Sequence, residues 1–339
     1  MPVMPVIVQS LNEQHRLRLM NKDAVVYIAG HRGLAGSAIL RKFESAGFSN
    51  LVIRTHAQLD LTRQADTEAF FRDVRPEYVV MAAARVGGIL ANNNFPAEFI
   101  HTNLAIQTNM IHAAYLAGVK RLVFLGSSCI YPRDCPQPMK EDYLLTGPLE
   151  ATNEPYAVAK IAGIKMCQSY NRQYGTQYMA VMPTNLYGPN DNFDLETSHA
   201  LPALIRKFHE AKMSGSRQVK VWGTGKPRRE FLHADDLAAA CFFLLNLPDE
   251  IYASLVTAEK TPLINIGAGR DITIKDLALL IKAIVGFEGE IVFDPSKPDG
   301  TFQKLLDPSG MTSLGWLAAI SLSDGIANTY QWCLDTAAF

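Results

Sequence analysis

A tyrosine and a lysine four residues apart open a predicted helix near the middle of the chain. Tyr156 and Lys160 follow Thr152 or Asn153, which can cap the helix, and Pro155, which suits its first turn. At this spacing both side chains share one helical face. The cation favours phenolate over phenol, so we expect it to lower the tyrosine pKa from about 10 toward the working pH. Such a pair can exchange a proton with an alcohol or a ketone.

Three glycines further upstream predict a nucleotide-binding turn. Residues 24–29 form an apolar run typical of a β-strand, and Gly30, Gly33 and Gly36 follow it before a helical pattern begins. Glycines at this spacing allow a tight turn and a close backbone approach to a phosphate. The helix N-terminus behind them offers N–H groups and the positive end of the helix dipole. The strand before and the helix after favour dinucleotide binding over a purely structural turn.

Charges around this turn favour NADP(H) over NAD(H). An NAD site usually ends its second strand with an acid that binds the ribose hydroxyls. Here the second predicted strand, residues 51–53, runs into Arg54 and His56, and Arg32 lies inside the glycine loop. Two arginines and a histidine suit a 2′-phosphate, although either arginine alone would equally fit a solvated loop.

Length, charge and composition limit the classes of protein to which the chain can belong. The chain has 339 residues, with 32 Lys and Arg against 33 Asp and Glu, and this length predicts about two domains. The near-neutral charge gives no indication of a nucleic-acid partner, and no apolar run reaches the roughly 18 residues of a membrane span. The longest apolar stretch, Leu237–Leu247, predicts a buried helix. The five cysteines form no C-x-x-C pair, so we expect no metal site, no disulfide framework and a reduced, cytoplasmic protein.

The first 22 residues precede the first predicted strand. They contain a short apolar patch, residues 3–8, without a basic leader or a suitable cleavage site, so a secretory signal is not expected. Met20 lies just ahead of the strand. A flexible tail and a misassigned start both fit this segment.

Alternating strand and helix patterns predict the fold class. Strands are expected near 78–81, 121–125 and 178–182, and helices near 65–74, 97–117 and 153–174. This order is typical of an α/β protein with a doubly wound parallel sheet, the Rossmann fold. After Pro183 the pattern loosens into loops, a helix near 199–213 and a strand around Val219–Trp222.

Two domains follow from this organisation. We predict an NADP-binding domain over 23–183, with returns near 229–267 that include Phe231–Asp236, the helix after it and Leu263–Gly267. A smaller, discontinuous substrate-binding domain would take up 184–228 and 268–339.

The fourth predicted strand, 122–125, ends in a loop with serines and a cysteine. Parallel sheets bind ligands beyond the carboxyl ends of their strands, so Ser127 is placed to hydrogen-bond a reacting carbonyl. Ser128 is explained equally well by turn chemistry.

Together these motifs resemble the extended short-chain dehydrogenase/reductase superfamily, whose active site is a Ser, Tyr and Lys set on a Rossmann domain. Within it the chain is similar to the GDP-L-fucose synthase family from about residue 24 to 333. That family converts GDP-4-keto-6-deoxy-D-mannose to GDP-L-fucose, epimerising C3 and C5 and then reducing the C4 ketone with NADPH. The motifs that carry the similarity are residues 29–33, 85–93, 126–132, 153–160, 183–189 and 229–233.

The resemblance implies a role for each catalytic residue. It assigns Cys129 and His199 to proton transfer at C3 and C5, and Tyr156 to protonation of the C4 oxygen. Lys160 would tune Tyr156 and hold the nicotinamide ribose, and Ser127 would orient the ketone. Without the resemblance, Cys129 would be a small buried hydrophobe and His199 a helix-start residue.

The resemblance also implies the ligand contacts. The GDP-sugar would contact Lys207, Trp222, Arg229 and Asp299, with Lys304 a weaker candidate for the same surface. The cofactor NADP(H) would contact Gly30, His31, Arg32, Gly33, Leu34, Ala35, Gly36, Arg54, His56, Asp60, Leu61, Leu125, Gly126, Ser127, Ser128, Lys160, Pro183, Thr184, Asn185, Leu186 and His199. His56 stands where related sequences can have arginine, which shifts more of the NADP preference to Arg32 and Arg54.

Two alternative functions stay open. One is an NAD-dependent nucleotide-sugar epimerase or dehydratase of the same superfamily, which the basic end of the second strand disfavours. The other is a non-catalytic NADP-sensing regulator, which would need neither Tyr156 nor Lys160 nor Cys129. The family further implies a homodimer, built on the helical patterns at 97–117 and 153–174.

Overall fold

The computed structural model describes residues 20–297 and 299–339, without the side chains of Ile89 and Leu90. Most of the predicted N-terminal tail, residues 1–19, lies outside these ranges. Its end is anchored, because Met20 is buried and its N–H donates to Asn246 Oδ1 at 2.9 Å.

Six parallel strands form the central sheet, in the order β2-β1-β3-β4-β5-β9. Their bounds are β1 (Val26–Ala29), β2 (Leu51–Val52), β3 (Tyr78–Met81), β4 (Arg121–Leu125), β5 (Tyr178–Pro183) and β9 (Leu263–Ile266). β1, β4 and β5 are buried along their whole length, as expected for strands covered on both faces. The strand order reverses between β1 and β3, which leaves a ligand-binding crevice at their carboxyl ends. The predicted doubly wound sheet is confirmed.

Helices cover both faces of this sheet. α1 (Leu34–Ser45) and α7 (Ala234–Leu245) pack on the face that holds Val26 and Ile28. α2 (Gln64–Val74), α4 (Pro96–Leu116) and α5 (Glu154–Tyr174) cover the face that holds Tyr27 and Ala29. Successive residues of β1 therefore enter different cores, because side chains alternate along a strand.

A smaller region carries two further sheets. β8 (Arg228–His233) pairs in parallel with β6 (Asn185–Tyr187) and β12 (Gln303–Lys304), and antiparallel with β10 (Asp271–Thr273). β7 (Gln218–Trp222) pairs in parallel with β11 (Glu290–Asp294). Side chains of these strands form a third hydrophobic core. Three helices contribute to it: α6 (Ala200–Met213), α9 (Ile274–Val285) and α11 (Leu322–Thr336). Three short helices complete the described chain: α3 (Ile89–Asn94), α8 (Asp249–Leu255) and α10 (Ser309–Ser313).

The segments predicted to return to the central sheet lie in two different sheets. β9 joins β5 as expected, and α7 packs against α1. Residues 231–233, however, lie in β8 of the smaller sheet. The buried Glu230 carboxylate fixes that position, because it accepts the N–H groups of Gly269 at 2.8 Å and Leu306 at 2.9 Å from neighbouring segments. Across residues 20–297 and 299–339, no helix is long and apolar enough to cross a membrane.

Candidate active site

The turn between β1 and α1 is shaped for a close ligand. Gly30 has a φ of +83°, and a Cβ there would lie 2.7 Å from the Ala83 backbone nitrogen. A Cβ at Gly36 would lie 2.1 Å from the Gly30 carbonyl oxygen. Gly33 is exposed and precedes α1, and no described side chain caps this helix. The first glycine thus permits the turn, the third lets the helix approach it, and the helix start is open toward a phosphate.

His31 in the same turn has a buried Nδ1 atom without a hydrogen-bond partner in the described chain. Burial and, to a smaller extent, the neighbouring Arg32 lower the pKa of His31, so the ring is neutral at neutral pH. Buried polar atoms are normally paired, so this nitrogen marks a place that a ligand completes. The glycine turn and this nitrogen fit a dinucleotide.

Exposed cations surround the predicted position of the 2′-phosphate. The Arg54 guanidinium lies 5.4 Å from the Phe70 ring centroid, and Arg32 is exposed at the start of the glycine turn. His56 is exposed as well, and its Nδ1 lies 3.8 Å from Asp60 Oδ1. Hydrogen bonds from Thr62 lower the pKa of Asp60. Contact of these cations with a 2′-phosphate stays a prediction.

α5 brings Tyr156 and Lys160 to the carboxyl end of β4, on one helical face as predicted. Lys160 Nζ donates to the Leu125 carbonyl at 2.7 Å and lies 5.7 Å from the Tyr156 ring centroid. Phe99 packs edge-on against the Tyr156 ring, with centroids 6.3 Å apart. Burial lowers the pKa of Lys160 to about 8. The ammonium is therefore mostly charged at neutral pH and is held by a backbone carbonyl.

The predicted lowering of the tyrosine pKa was wrong. Burial raises the pKa of Tyr156 well above its usual value, and the nearby Cys129 thiol adds to the effect. The Lys160 ammonium does not compensate, because it is engaged by Leu125 and lies over the tyrosine ring. Tyr156 is therefore a neutral phenol, the form that can donate a proton to a ketone oxygen.

The start of α5 also differs from prediction. Asn153 occupies the N-cap position but forms no side-chain cap, and its Oδ1 is buried without a partner in the described residues. Thr152 belongs to a preceding 3₁₀ turn (Ala151–Asn153), where its N–H donates to the Glu150 carboxylate at 3.5 Å. Pro155 does lie in the first turn. Proline supplies no N–H, so fewer backbone donors need a cap here.

A 3₁₀ turn (Ser128–Ile130) after β4 carries Cys129 and packs against α5, the helix of Tyr156 and Lys160. The Cys129 N–H donates to Ser127 Oγ at 3.4 Å, and the cysteine is only 7% exposed. Burial raises the pKa of Cys129, while Ser127 and nearby cations oppose this effect. The thiol is thus protonated at neutral pH.

His199 precedes α6 on a loop that the glycine-rich segment after β3 supports. The Gly88 N–H donates to the Thr197 carbonyl at 3.0 Å, and the Ser198 N–H donates to the Asp194 carbonyl at 2.9 Å. The imidazole does not cap α6. His199 is exposed to solvent by its surface area, yet desolvation by the surrounding protein lowers its pKa, so the ring is neutral at neutral pH. Its share in proton transfer with Cys129 stays a prediction.

Two residues assigned to the cofactor by resemblance have structural partners. The Thr184 hydroxyl and the Asn185 amide both donate to the Glu230 carbonyl, at 3.2 and 2.8 Å. These bonds hold the end of β5 and the start of β6 against β8. The implied cofactor contacts of the 183–186 segment remain predictions.

The predicted GDP-sugar residues lie around an exposed tryptophan and a half-buried arginine. Trp222 is 57% exposed, and Lys207 Nζ lies 5.2 Å from its ring centroid. Asp299 accepts the Thr224 N–H at 2.6 Å and the Thr224 hydroxyl at 2.8 Å. Burial lowers the pKa of Arg229, and the negative charge of Asp299 opposes this shift. The surface therefore combines an aromatic face with cations, which suits a base and a diphosphate.

Sequence reasoning missed two members of this surface. Lys297 Nζ lies 5.5 Å from the Trp222 ring centroid, and Thr224 holds Asp299. A weak signal existed for Lys297, which lies two residues before Asp299. No sequence signal indicated Thr224, because its role depends on Asp299, which lies 75 residues away.

A cavity of about 790 Å³ lies at the opposite, amino-terminal edge of the central sheet, near Tyr78 and Tyr178. Its Arg121 side chain donates to the carbonyls of Leu245 and Leu247 and to Asp249. Because these hydrogen bonds hold Arg121 in a structural role, we place the chemistry at the carboxyl edge of the central sheet.

The doubly wound sheet, the glycine turn at its switch point and the buried tyrosine–lysine pair define a Rossmann-fold enzyme that uses a dinucleotide. The chain belongs to the NAD dependent epimerase/dehydratase family, whose model matches residues 26–258.

Comparison with known proteins shows which members of this family the chain resembles. The chain is 58% identical over 316 residues to GDP-L-fucose synthase 1 of Arabidopsis thaliana, covering 93% of this chain and 95% of that protein. It is 54% identical over 310 residues to GDP-L-fucose synthase of Escherichia coli K12, covering 91% and 96%. A crystal structure of a GDP-D-glycero-L-gluco-heptose synthase from Campylobacter jejuni, in the presence of NADPH, superposes with a TM-score of 0.86 at 41% identity, covering 92% of this chain and 99% of that chain.

Proposed function

We propose that this protein converts GDP-4-keto-6-deoxy-D-mannose to GDP-L-fucose, by epimerisation at C3 and C5 and NADPH-dependent reduction at C4. The observation that carries the proposal is Cys129, which lies on a turn packed against α5, the helix of Tyr156 and Lys160. A plain reductase needs the tyrosine and lysine but no thiol. The identity of 54–58% to proteins named GDP-L-fucose synthase supports the same substrate.

The 4-keto group explains why two proton-transfer residues accompany the reductase pair. It acidifies the hydrogens on C3 and C5, because the electron pair left by either proton enters an enolate. Inversion at each carbon needs a base on one face and an acid on the other. Cys129 and His199 fill these two positions, since a thiol and an imidazole are side chains that both release and accept protons in enzyme sites.

Reduction uses a second set of residues. The Tyr156 phenol donates its proton to the C4 oxygen, and the Ser127 hydroxyl orients the carbonyl. NADPH, when bound, supplies the hydride to C4. The glycine turn, residues 30–36, would hold its pyrophosphate, and Arg32 and Arg54 would bind its 2′-phosphate.

The GDP moiety would lie on the smaller region. Lys207 and Arg229 neutralise the diphosphate, and Trp222 offers a face to the base. Each carboxylate oxygen of Asp299 accepts one hydrogen bond from Thr224. Each oxygen has a further lone pair that can accept a hydrogen bond from the sugar or the base. Desolvated cations bind phosphate strongly because water does not compete with them.

We further propose a cytoplasmic homodimer. Its support is that α4 and α5 pack side by side and expose three apolar side chains: Leu116 at 59%, Val158 at 40% and Tyr174 at 46%. Light scattering after gel filtration tests the dimer, and charged substitutions of Val158 and Tyr174 should yield monomers.

The function is tested by incubating the full chain with GDP-4-keto-6-deoxy-D-mannose and NADPH and identifying the product by NMR. GDP-L-fucose is expected. A GDP-6-deoxy sugar with unchanged C3 and C5 would show a reductase without epimerase activity, and absence of NADPH oxidation would refute both steps. A GDP-heptose ketone assayed in parallel tests whether the chain prefers the substrate class of the Campylobacter relative.

A further inference from the structure

Asn92 in α3 binds the pair of glycines that precedes this helix. Its amide Nδ2 donates to the Gly87 carbonyl at 2.8 Å and to the Gly88 carbonyl at 3.0 Å, and only 7% of the residue is exposed. Building on the proposed function, we propose that Asn92 is a positioning residue for epimerisation: by fixing Gly88, it holds the loop that carries His199.

Gly88 contacts this loop directly before His199. The Gly88 N–H donates to the Thr197 carbonyl at 3.0 Å. A Cβ at Gly88 would lie 3.0 Å from the Ser198 carbonyl oxygen and 3.1 Å from the Thr197 carbonyl oxygen, so a side chain there would push the loop away. The next residue, His199, occupies the N-cap position of α6. A shift of Gly88 therefore reaches His199 through one or two residues of backbone.

A second buried asparagine fixes the other end of the glycine segment. Asn103 in α4 accepts the Arg85 N–H at 2.9 Å and donates to the Arg85 carbonyl at 3.0 Å. Residues 85–88 are thus held at one end by Asn103 and at the other by Asn92. Loss of the Asn92 amide frees only the end that contacts the His199 loop.

The tyrosine and the lysine have supports that do not include Asn92. The Phe99 ring packs edge-on against Tyr156, and Asn103 binds the Phe99 carbonyl at 2.8 Å. Lys160 Nζ donates to a backbone carbonyl at the end of β4. A change at Asn92 should therefore disturb His199 more than the reductase pair.

Burial of the Asn92 amide is unfavourable for the fold. Its Oδ1 atom is buried without a hydrogen-bond partner in the part of the chain that the structure describes. An unpaired buried acceptor destabilises a protein, and an apolar side chain would avoid that cost. The two donors of the amide are what an apolar side chain lacks, and both bind the glycine pair. Asn92 therefore serves the position of these glycines rather than the stability of α3.

Proton transfer depends on this position, because the imidazole must lie close to the carbon that reacts. In the proposed epimerisation, one of Cys129 and His199 removes the proton from C3 or C5, and the C–H electron pair enters the enolate. The other side chain then gives a proton to the opposite face of that carbon, where the enolate supplies the electron pair. Exchange with solvent restores the protonation of both side chains. Hydride transfer at C4 uses Tyr156 and Lys160 instead.

The test compares two reactions of the full chain. Deuterium incorporation at C3 and C5 of GDP-4-keto-6-deoxy-D-mannose, in D₂O without NADPH, reports proton transfer at carbon. Oxidation of GDP-L-fucose at C4 by saturating NADP⁺ reports hydride transfer and requires no epimerisation, because hydride leaves C4 for the cofactor and the hydroxyl proton leaves for the tyrosine.

Two variants disturb the same contact in different ways. Asn92→Asp keeps the shape of the side chain but exchanges the amide donors for acceptors, and Gly88→Ala pushes the loop without adding charge. Asn93→Asp is the matched control, since this neighbour in α3 is exposed and the substitution adds the same charge. Asn92→Leu, an apolar side chain of similar volume, replaces the aspartate variant if that one fails to fold.

We expect exchange to slow by at least about tenfold in Asn92→Asp and Gly88→Ala, and oxidation to stay within about threefold of the wild type, because a misplacement of about 1 Å can cost about 10²-fold in the step it affects. Asn93→Asp should match the wild type in both reactions. Wild-type exchange in both test variants would overturn the proposal. Equal loss of exchange and oxidation would also overturn it, because Asn92 would then support the whole site.

A second measurement needs no substrate. The Cε1–H NMR signal of His199, assigned with a His199→Gln variant, is compared among the same proteins without added sugar or cofactor. It should move in Gly88→Ala and Asn92→Asp and keep its position in Asn93→Asp. Absence of exchange in the wild type would refute the proposed function, and the positioning role would then be decided by this signal: an unmoved signal in both test variants would refute it.

Discussion

Replacing Asp191 by asparagine should stabilise the protein increasingly as the pH rises from 5 to 8. Asp191 lies in the loop that leads from β6 to His199. Its Oδ1 accepts the Asn192 N–H at 2.7 Å, but its Oδ2 is buried without a partner in the described chain. Burial raises the pKa of Asp191 to about 7, from 3.8 in a solvated chain. An asparagine keeps the accepting oxygen and never ionises.

The sign and size of this pH-dependent change in stability follow from proton linkage. A group with a raised native pKa contributes its stability below the unfolded value, near pH 4, and loses it as the pH rises through the native value. The full shift of about 3 pKa units corresponds to about 4 kcal/mol, at 1.36 kcal/mol per unit. More than a third of this is already lost at pH 5, so about 2 to 3 kcal/mol is lost between pH 5 and 8. Partial solvent access to Asp191 places our expectation near 2 kcal/mol.

Urea unfolding at pH 5, 6, 7 and 8 measures the difference in unfolding free energy between Asp191→Asn and the wild type. The change of this difference with pH is decisive, because effects of the substitution that do not involve protons cancel. Asp194→Asn is the control, since hydrogen bonds from Thr197 lower the pKa of this exposed acid and its titration ends below pH 5. A constant difference across the pH series would show that Asp191 is not a buried, unpaired acid.

The remaining predictions concern the chemistry. Tyr156→Phe should slow NADPH oxidation by about 10² to 10⁴-fold with little loss of fold, because only the donating hydroxyl is removed; a near-normal rate would contradict the assignment. Arg32→Ala combined with Arg54→Ala should raise the KM for NADPH and change NADH use little, whereas equal loss with both cofactors would show that the arginines support the fold or the shared pyrophosphate. In D₂O without NADPH the wild type should incorporate deuterium at C3 and C5 of the keto-sugar. Cys129→Ser should incorporate far less, because a hydroxyl barely ionises where a thiol has a pKa near 8.5, and wild-type exchange in this variant would remove Cys129 from the mechanism.

The central sheet and its helices were predictable because their signals are local. The helix expected at 153–174 is α5, residues 154–174, and the strand expected at 121–125 is β4 with the same bounds. Long apolar runs bounded by glycine or proline leave few alternatives. The glycine turn was equally clear from the spacing of its glycines, although the backbone that excludes a Cβ at Gly30 belongs to Ala82 and Ala83, which are distant in the chain.

Predictions failed where distant residues decide the outcome. β8 belongs to the smaller sheet because Glu230 binds the N–H groups of Gly269 and Leu306, which lie 39 and 76 residues away. Spacing correctly predicted that Tyr156 and Lys160 meet, but the direction of the tyrosine pKa shift depends on burial and on the Leu125 carbonyl. Neither the burial of Tyr156 nor the position of the Leu125 carbonyl can be predicted from the residues next to Tyr156 in the chain.

Burial shifts the pKa of several groups that the proposed reaction uses toward the neutral form of each group. Burial lowers the pKa of the cations Lys207, Arg229 and Lys304. It also lowers the pKa of His199 and raises that of Cys129. A bound diphosphate brings two or more negative charges next to these cations, which raises their pKa values again and strengthens their charge. The same negative charges favour the imidazolium form of His199. The nucleotide half of the substrate therefore does more than anchor the sugar: its charge favours the protonated His199 that acts on the other half, so a keto-sugar without GDP should be epimerised more slowly.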